Sequence, residues 1–320
     1  MKNRYFGVIG IKSIMSNWNA DFSGYPKTIS TGEVFGSDKA LKYPMKKMWE
    51  QNGEKVLYIK SLKVEEDKKE GIKVRPKSLK ERYEEIFQVN DLKDEKDNEK
   101  VLKNLFTAID VKNFGATFAE AGNNIGITGA VQIGQGFNKY EDTMAEEQQI
   151  LSPFRDATSK KKGNKNSEEG DEANSTTLGT KIVSNEAHYF YPFAINPKAY
   201  EQYINMDVTE GYKEEDYEKF KEAALTSATA FNTNSKIGCE NEFSLFIKTN
   251  EELYLPELSQ YIDFRKSNNK DIIIFNFDDL LEGVKESIES IEVYYNSYKI
   301  EIENKIPNAK YFNIFTRKEV

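Results

Sequence analysis

The sequence predicts an α+β protein built on an antiparallel, ferredoxin-like sheet. Strand-like and helix-like segments alternate, segments of unlike composition interrupt them, and no unit recurs at a fixed period, which argues against a solenoid. Among the 320 residues, 38% are hydrophobic and 12% aromatic, enough for a substantial core, and the length suits one large decorated domain or two smaller ones.

Tyr5 to Lys12 reads as a buried opening strand, followed by the polar loop Ser16 to Pro26, which carries Trp18 between Asn17 and Asn19. Ser37 is an N-cap candidate, Lys39 to Gln51 has helical length, and Asn52-Gly53 supplies a stop. Pro44 should kink or restart that helix. Val56 to Val64 follows as a strand. Residues 65–104 are rich in alternating charge and hold two helix candidates, Ser78 to Val89 and Asp97 to Phe106, in what reads as a peripheral helical insertion. Apolar stretches return at Phe106 to Val111, Phe114 to Ala119 and Ile127 to Gly134, punctuated by glycines.

From about Glu141 to Thr180 the composition turns polar, with Lys160-Lys161-Lys162 followed by Glu168 to Glu172, and predicts a long mobile loop or arm. Strand sequence resumes at Ala187 to Ile195. Thr209 to Phe231 is an amphipathic helix whose Phe220, Ala224, Leu225 and Ala228 line one face. Phe243 to Ile247 and Asp271 to Phe275 read as strands, and Asp278 to Ser290 as a helix.

One cysteine, Cys239, excludes an intramolecular disulfide, and one histidine, His188, excludes a zinc site made of several Cys and His ligands. A Ser-His-Asp or Cys-His nucleophile would rest on His188, which sits in an aromatic strand-like run and reads as structural. Gly134-Gln135-Gly136 lacks the third glycine and receiving helix of a dinucleotide site and reads as a turn; no GxxxxGK[ST] is present. Asp21 and Asp110 read as turn or loop anchors rather than metal ligands. No cofactor, metal or catalytic residue is expected. With no apolar run near the ~20 residues of a membrane span and no secretory leader at Met1 to Gly7, the expected compartment is the cytoplasm.

Net charge is −8, unevenly spread: residues 1–50 carry eight Lys and Arg against four Asp and Glu, so the remainder stands at −12. On the helix after Ser37, Lys39, Lys42 and Lys46 share a face and Lys47 flanks it. The plainer reading is a solvated helix face. Few acidic residues sit nearby to pair with these lysines, and the Asn-Trp-Asn loop before them offers a stacking surface, so the row suits an RNA backbone.

Four stretches in order then resemble the Cas7 family, the backbone subunit of type I CRISPR Cascade complexes, most nearly type I-B. They are Asn17-Trp18-Asn19-Ala20-Asp21 with the basic helix behind it; Asp110 to Ala119; Thr128 to Ile133; and Thr177 to Lys181 leading to Tyr189 to Phe193. Asn234-Ser235-Lys236-Ile237-Gly238 is a weaker fifth.

The resemblance implies a modified RRM-like palm (1–64, 105–140 and 184–320), a helical finger insertion (65–104) and a protruding thumb (141–183). It implies partners: a CRISPR RNA, further copies of the chain along it, other Cascade subunits, and a target DNA strand met only through the guide. By position, Ser37, Lys39, Lys42, Lys46 and Lys47 would hold phosphates, and Asn17, Trp18 and Asn19 would line the RNA path. Phe114, Gly115, Thr128 and Gln132 would lie on the palm beside the strand, Phe154, Arg155, Thr177 and Lys181 in the thumb, with Asn234 and Lys236 also in contact. The acidic Glu168 to Glu172 run would point outward. The rival is a metal-dependent endoribonuclease, as in type III relatives, with Asp21 as its nearest candidate aspartate.

Overall fold

In a computed structural model, which describes residues 1–67, 71–95, 97–151 and 178–320, the chain begins with β1 (Arg4–Ser16), β2 (Phe35–Gly36), α1 (Asp38–Gln51), β3 (Leu62–Asp67), β4 (Gly71–Pro76) and α2 (Leu79–Phe87). It continues through α3 (Asn98–Thr107), α4 (Ile109–Phe114), β5 (Gly115–Phe118), β6 (Ile125–Thr128), β7 (Val131–Ile133), β8 (Gly136–Asn138), β9 (Ala145–Leu151) and β10 (Leu178–Ile195). The remainder is α5 (Glu201–Asn205), α6 (Glu214–Ala230), β11 (Cys239–Thr249), β12 (Ile262–Arg265), β13 (Asp271–Phe275), α7 (Asp278–Glu282), β14 (Ile288–Tyr295), β15 (Ile300–Glu303) and β16 (Lys310–Asn313).

β1 is apolar on both faces and therefore lies inside a sheet, paired antiparallel with β10 on one edge and β11 on the other. Among the described residues this sheet has nine strands, ordered β16-β14-β11-β1-β10-β8-β2, with β7 and β9 also on β10. Only β16 joins it in parallel. Side-chain alternation divides the core: Tyr5, Ile9 and Ile11 face α1, α3 and α6, whereas Phe6 and Val8 face a smaller sheet of β12, β13 and β15. The result is an α+β architecture, with helices on one face of a largely antiparallel sheet and a small sheet on the other.

Several local expectations fail for identifiable reasons. Val56, Leu57 and Ile59 are buried but irregular, because the Asp110 carboxylate takes the Leu57 and Tyr58 amides (both 2.8 Å) that a strand neighbour would have used. The strand begins later, at Leu62, and pairs with β4 as a ribbon exposing Leu62, Val64, Ile72 and Val74. The apolar stretch Phe106 to Val111, whose sequence fits either strand or buried helix, is helical, spanning the end of α3 and the start of α4. Pro44 does not interrupt α1: Leu41, Met45 and Trp49 pack into the core around it, offsetting the missing hydrogen bond. α6 starts at Glu214, five residues beyond Thr209, and α7 ends at Glu282, after which Ile291 and Val293 belong to β14. The expected loop at 141–180 is partly strand, since β9 pairs with β10 from Ala145↔Ser184 to Leu151↔Leu178.

Candidate nucleic-acid interface

Helix α1 is positioned at both ends. The Ser37 hydroxyl accepts from the Ala40 amide (3.3 Å), the Ser37 amide donates to Asn19 Oδ1 (2.7 Å), and Gly53, at φ +84°, lets the chain turn away. Ser37 thus holds the helix start through its amide and its hydroxyl oxygen, and the O–H remains as a donor. With Leu41, Met45 and Trp49 buried, Lys39, Lys42, Tyr43 and Lys46 line a groove of about 660 Å³ whose other wall is Tyr58 and Phe114 to Thr117.

The lysines of this row are unlike one another. Lys39 is exposed and its ammonium has no carboxylate partner among the described residues. Lys42 pairs with Asp38 (2.9 Å) and lies 5.0 Å from the centre of the Phe114 ring, a cation–π contact. Lys46 reaches inward to the Tyr58 carbonyl (3.2 Å) and to Asp110 (3.6 Å); burial pushes its pKa down against the opposing pull of Asp110. Lys47 lies outside the groove lining and pairs with Glu50 (2.9 Å).

The opposite wall depends on backbone crowding. A side chain on Gly115 (φ +83°) would sit 2.2 Å from the Ile127 carbonyl, so only glycine permits this pairing with Thr128. Thr128 is exposed on β6 next to it, and Gln132 is exposed on β7 with its amide on the Gly129 carbonyl (2.8 Å). Lys39, Lys42, Lys46, Phe114 and Gly115, from two distant segments, therefore line one groove, with Thr128 paired beside it.

The asparagine–tryptophan loop departs most from expectation. Trp18 is 2% exposed and donates to the Tyr191 hydroxyl (2.5 Å); it is core, not a stacking platform. Gly36 makes room for that pair, since a Cβ there would lie 1.8 Å from the hydroxyl and 2.9 Å from the indole. Both Asn17 amide hydrogens are used, on the Gly24 and Ile182 carbonyls (2.8 and 3.2 Å), so Asn17 has no donor left for a base. Asn19 links the loop to Ser37. Lys236 is consumed too: its ammonium donates to the Asn17 carbonyl (2.6 Å) and to that of Trp18, and burial pushes its pKa down. Asn234 is exposed beside it, and Lys181, half-buried on β10, has no carboxylate partner among the described residues. Phe154, Arg155, Thr177 and the Glu168 to Glu172 run lie outside the described residues.

Two further residues of this loop are placed where a ligand could meet them. Lys27, at its exit, has no carboxylate partner among the described residues, and Phe22, at its tip, is 113% exposed. In sequence Phe22 carries the same signal as Trp18, an aromatic in a polar loop, and sequence does not say which ring faces out.

The carboxylates are engaged elsewhere. Asp21 Oδ1 accepts from the Ser23 hydroxyl (2.7 Å) and from the Ser23 and Tyr25 amides (2.8 and 3.1 Å), which holds its pKa below the usual range. Glu186, His188 and Asp271 could geometrically gather around an ion, but the Lys266 ammonium already lies 2.6 Å from Glu186 and 3.1 Å from Asp271. Burial disfavours the charged His188 ring, yet the Glu242 charge and hydrogen bonds to Glu186 and Glu242 outweigh it and push the pKa up to about 9. A protonated imidazole has no lone pair for a metal. In this structure the cluster is joined as an internal ion network through His188 and Lys266.

A family model described as "CRISPR-associated protein Cas7" matches residues 3–284. The chain belongs to the Cas7 family. No curated protein sequence matches it. Its fold is similar to that of a solved chain described as "CRISPR RNA-guided surveillance complex, pre-nicking", with a TM-score of 0.55 at 14% identity, covering 97% of this chain and 96% of that one. A chain described as "CRISPR RNA-guided surveillance complex" aligns with a TM-score of 0.45 at 14% identity, covering 94% and 95%. For this Cas7 chain the shared fold extends over nearly the whole length, α1 and β5 included.

Proposed function

We propose that this Cas7 chain is a non-catalytic, guide-RNA-binding backbone subunit of a type I surveillance complex, most like type I-B, working in the cytoplasm. Copies assemble along one CRISPR RNA beside other Cascade subunits and leave its bases to pair with a target DNA strand. In this reading residues 1–64, 105–140 and 184–320 form an RRM-like palm, 65–104 the fingers and 141–183 a thumb reaching over the next copy. The chain grips backbone, and base pairing supplies sequence specificity.

The observation that carries the reading is the groove between α1 and β5. It places the Lys39 ammonium, without a carboxylate partner among the described residues, and the Lys42 ammonium along one wall, and Phe114 to Thr117 along the other. Ammonium groups in a row neutralise successive phosphates without reading bases. Lys46 supports the wall from within, so Lys39 and Lys42 are the informative pair to reverse.

Purified from a host expressing its CRISPR array, the protein should carry nucleic-acid absorbance and migrate as a large particle. Lys39→Glu with Lys42→Glu should strip most of that RNA; unchanged RNA content would overturn the reading. The endoribonuclease alternative has less support, because the Asp21 oxygen that faces its own loop is already committed to three donors. Regular Mg²⁺-dependent cuts in complementary RNA, abolished by Asp21→Ala, would restore it.

A further inference from the structure

We propose that Phe22 stacks on an unpaired base of the bound RNA, where the strand passes from α1 toward the β9–β10 pair; this rests on the chain holding RNA as proposed above. The ring is 113% exposed, farther into solvent than any other large apolar side chain among the described residues.

Its backbone keeps it there. Asp21 closes the turn from both sides, its carboxylate taking the Ser23 and Tyr25 amides while its own amide donates to the Tyr25 carbonyl (2.8 Å). Gly24 adopts φ +92°, and Asn17 fixes the Gly24 carbonyl from below (2.8 Å). A phenylalanine on a slack loop would fold back onto apolar surface; this one is held off it, so stacking would require little further ordering of the backbone.

Place and surroundings favour a base over a protein surface. At the loop's base, the Lys27 amide donates to the Asn19 carbonyl (3.0 Å), and Asn19 Oδ1 holds the Ser37 amide, which ties Phe22 to the start of the lysine helix. Near its tip, Tyr25 hydrogen-bonds Glu147 on β9, and Gly24 packs beside Ile182 on β10. Phe22 thus stands between the lysine groove and the root of the arm. Its exposed sequence neighbours are Asp21 and Ser23, and Lys27, at the base of the same loop, has no carboxylate partner among the described residues. An anchor for a protein partner is normally ringed by packed contacts that exclude water. A fully exposed π-face in a polar loop suits a nucleobase, and since every base offers such a face, the contact would tolerate any guide sequence.

The assembled protein would be titrated with guide RNA carrying a fluorescent purine analogue at successive positions. Wild type should quench the analogue at a recurring position. Phe22→Ala and Phe22→Leu should lose the quenching and weaken RNA binding on the order of tenfold, and Phe22→Trp should restore both. Folding is not at issue, and unchanged thermal melting would confirm that. If Phe22→Leu behaves as wild type, the contact is apolar and belongs to a neighbouring protein; if Phe22→Ala changes neither quenching nor affinity, there is no stacking. Either result overturns the proposal. Lys39→Glu with Lys42→Glu is the control: should it lose RNA while Phe22→Ala does not, only the stacking falls, whereas a wild type without RNA would remove the RNA reading itself.

Discussion

Lys46 and Asp110 meet beneath the groove, Nζ to Oδ2 at 3.6 Å, with the Asp110 side chain at 0% exposure and Lys46 at 16%. The pair joins α1 to α4 and, through the Leu57 and Tyr58 amides on the same carboxylate, fixes the irregular segment that leads to the ribbon. A lysine that sequence pattern assigns to phosphate is here part of the wall that shapes the site.

Asp110→Ala should therefore destabilise the fold by about 3 kcal/mol, since it leaves two amide donors and an ammonium without their acceptor. Asp110→Asn, which keeps one acceptor oxygen, should cost less. Urea denaturation checks both, and an alanine variant within 0.5 kcal/mol of wild type would show that the carboxylate does not hold this junction.

Among the lysines, RNA binding should separate by position. Lys39→Ala should lower the slope of log affinity against log salt by about 0.7, the increment for one single-strand phosphate contact, without altering stability. Lys47→Ala, already paired with Glu50 and outside the groove, should leave the slope unchanged. Equal effects from the two would mean that the groove is not the phosphate path.

Trp18 and Trp49 are each 2% exposed, so intrinsic tryptophan emission should be blue-shifted and resist quenching by iodide. RNA should change it little. Trp18→Phe, losing the donor to the Tyr191 hydroxyl, should cost ~1–3 kcal/mol in thermal or urea unfolding. Strong quenching by RNA would instead put the Trp18 ring in the nucleic-acid path.

His188 makes stability depend on pH in the alkaline direction. Its folded pKa of about 9 lies above the ordinary 6.5, so the folded state holds the proton more tightly than the unfolded chain. The stabilisation is complete below about 6.5 and fades as pH rises through 9. The urea midpoint should fall between those values in wild type and flatten in His188→Gln. A wild-type midpoint that rises over this range would contradict the charged ring.

Much of the architecture was legible in the residues alone. Tyr5 to Ile11 is apolar without interruption and had to lie inside a sheet; Ser37 and Gly53 bound a helix as capping chemistry requires; Phe220, Ala224 and Ala228 mark the buried face of α6. Such features depend on a few neighbouring residues, which is the range sequence patterns cover. The lysine spacing was legible for the same reason, because helical periodicity alone puts Lys39, Lys42 and Lys46 on one side.

What the tertiary structure decided was which polar and aromatic groups remain available. Trp18 and Phe22 sit four residues apart in one polar loop, yet Tyr191 and Gly36 draw the first ring inward, while the Asp21 turn holds the second out. Lys236 and Lys39 look equally cationic, but one is spent on the carbonyls of Asn17 and Trp18 and the other has no carboxylate partner among the described residues. These outcomes turn on partners far away along the chain, brought close only when β1, β10 and β11 pair. Local pattern therefore set the elements and their charged faces, and long-range pairing chose which of those charges and rings were left to meet a ligand.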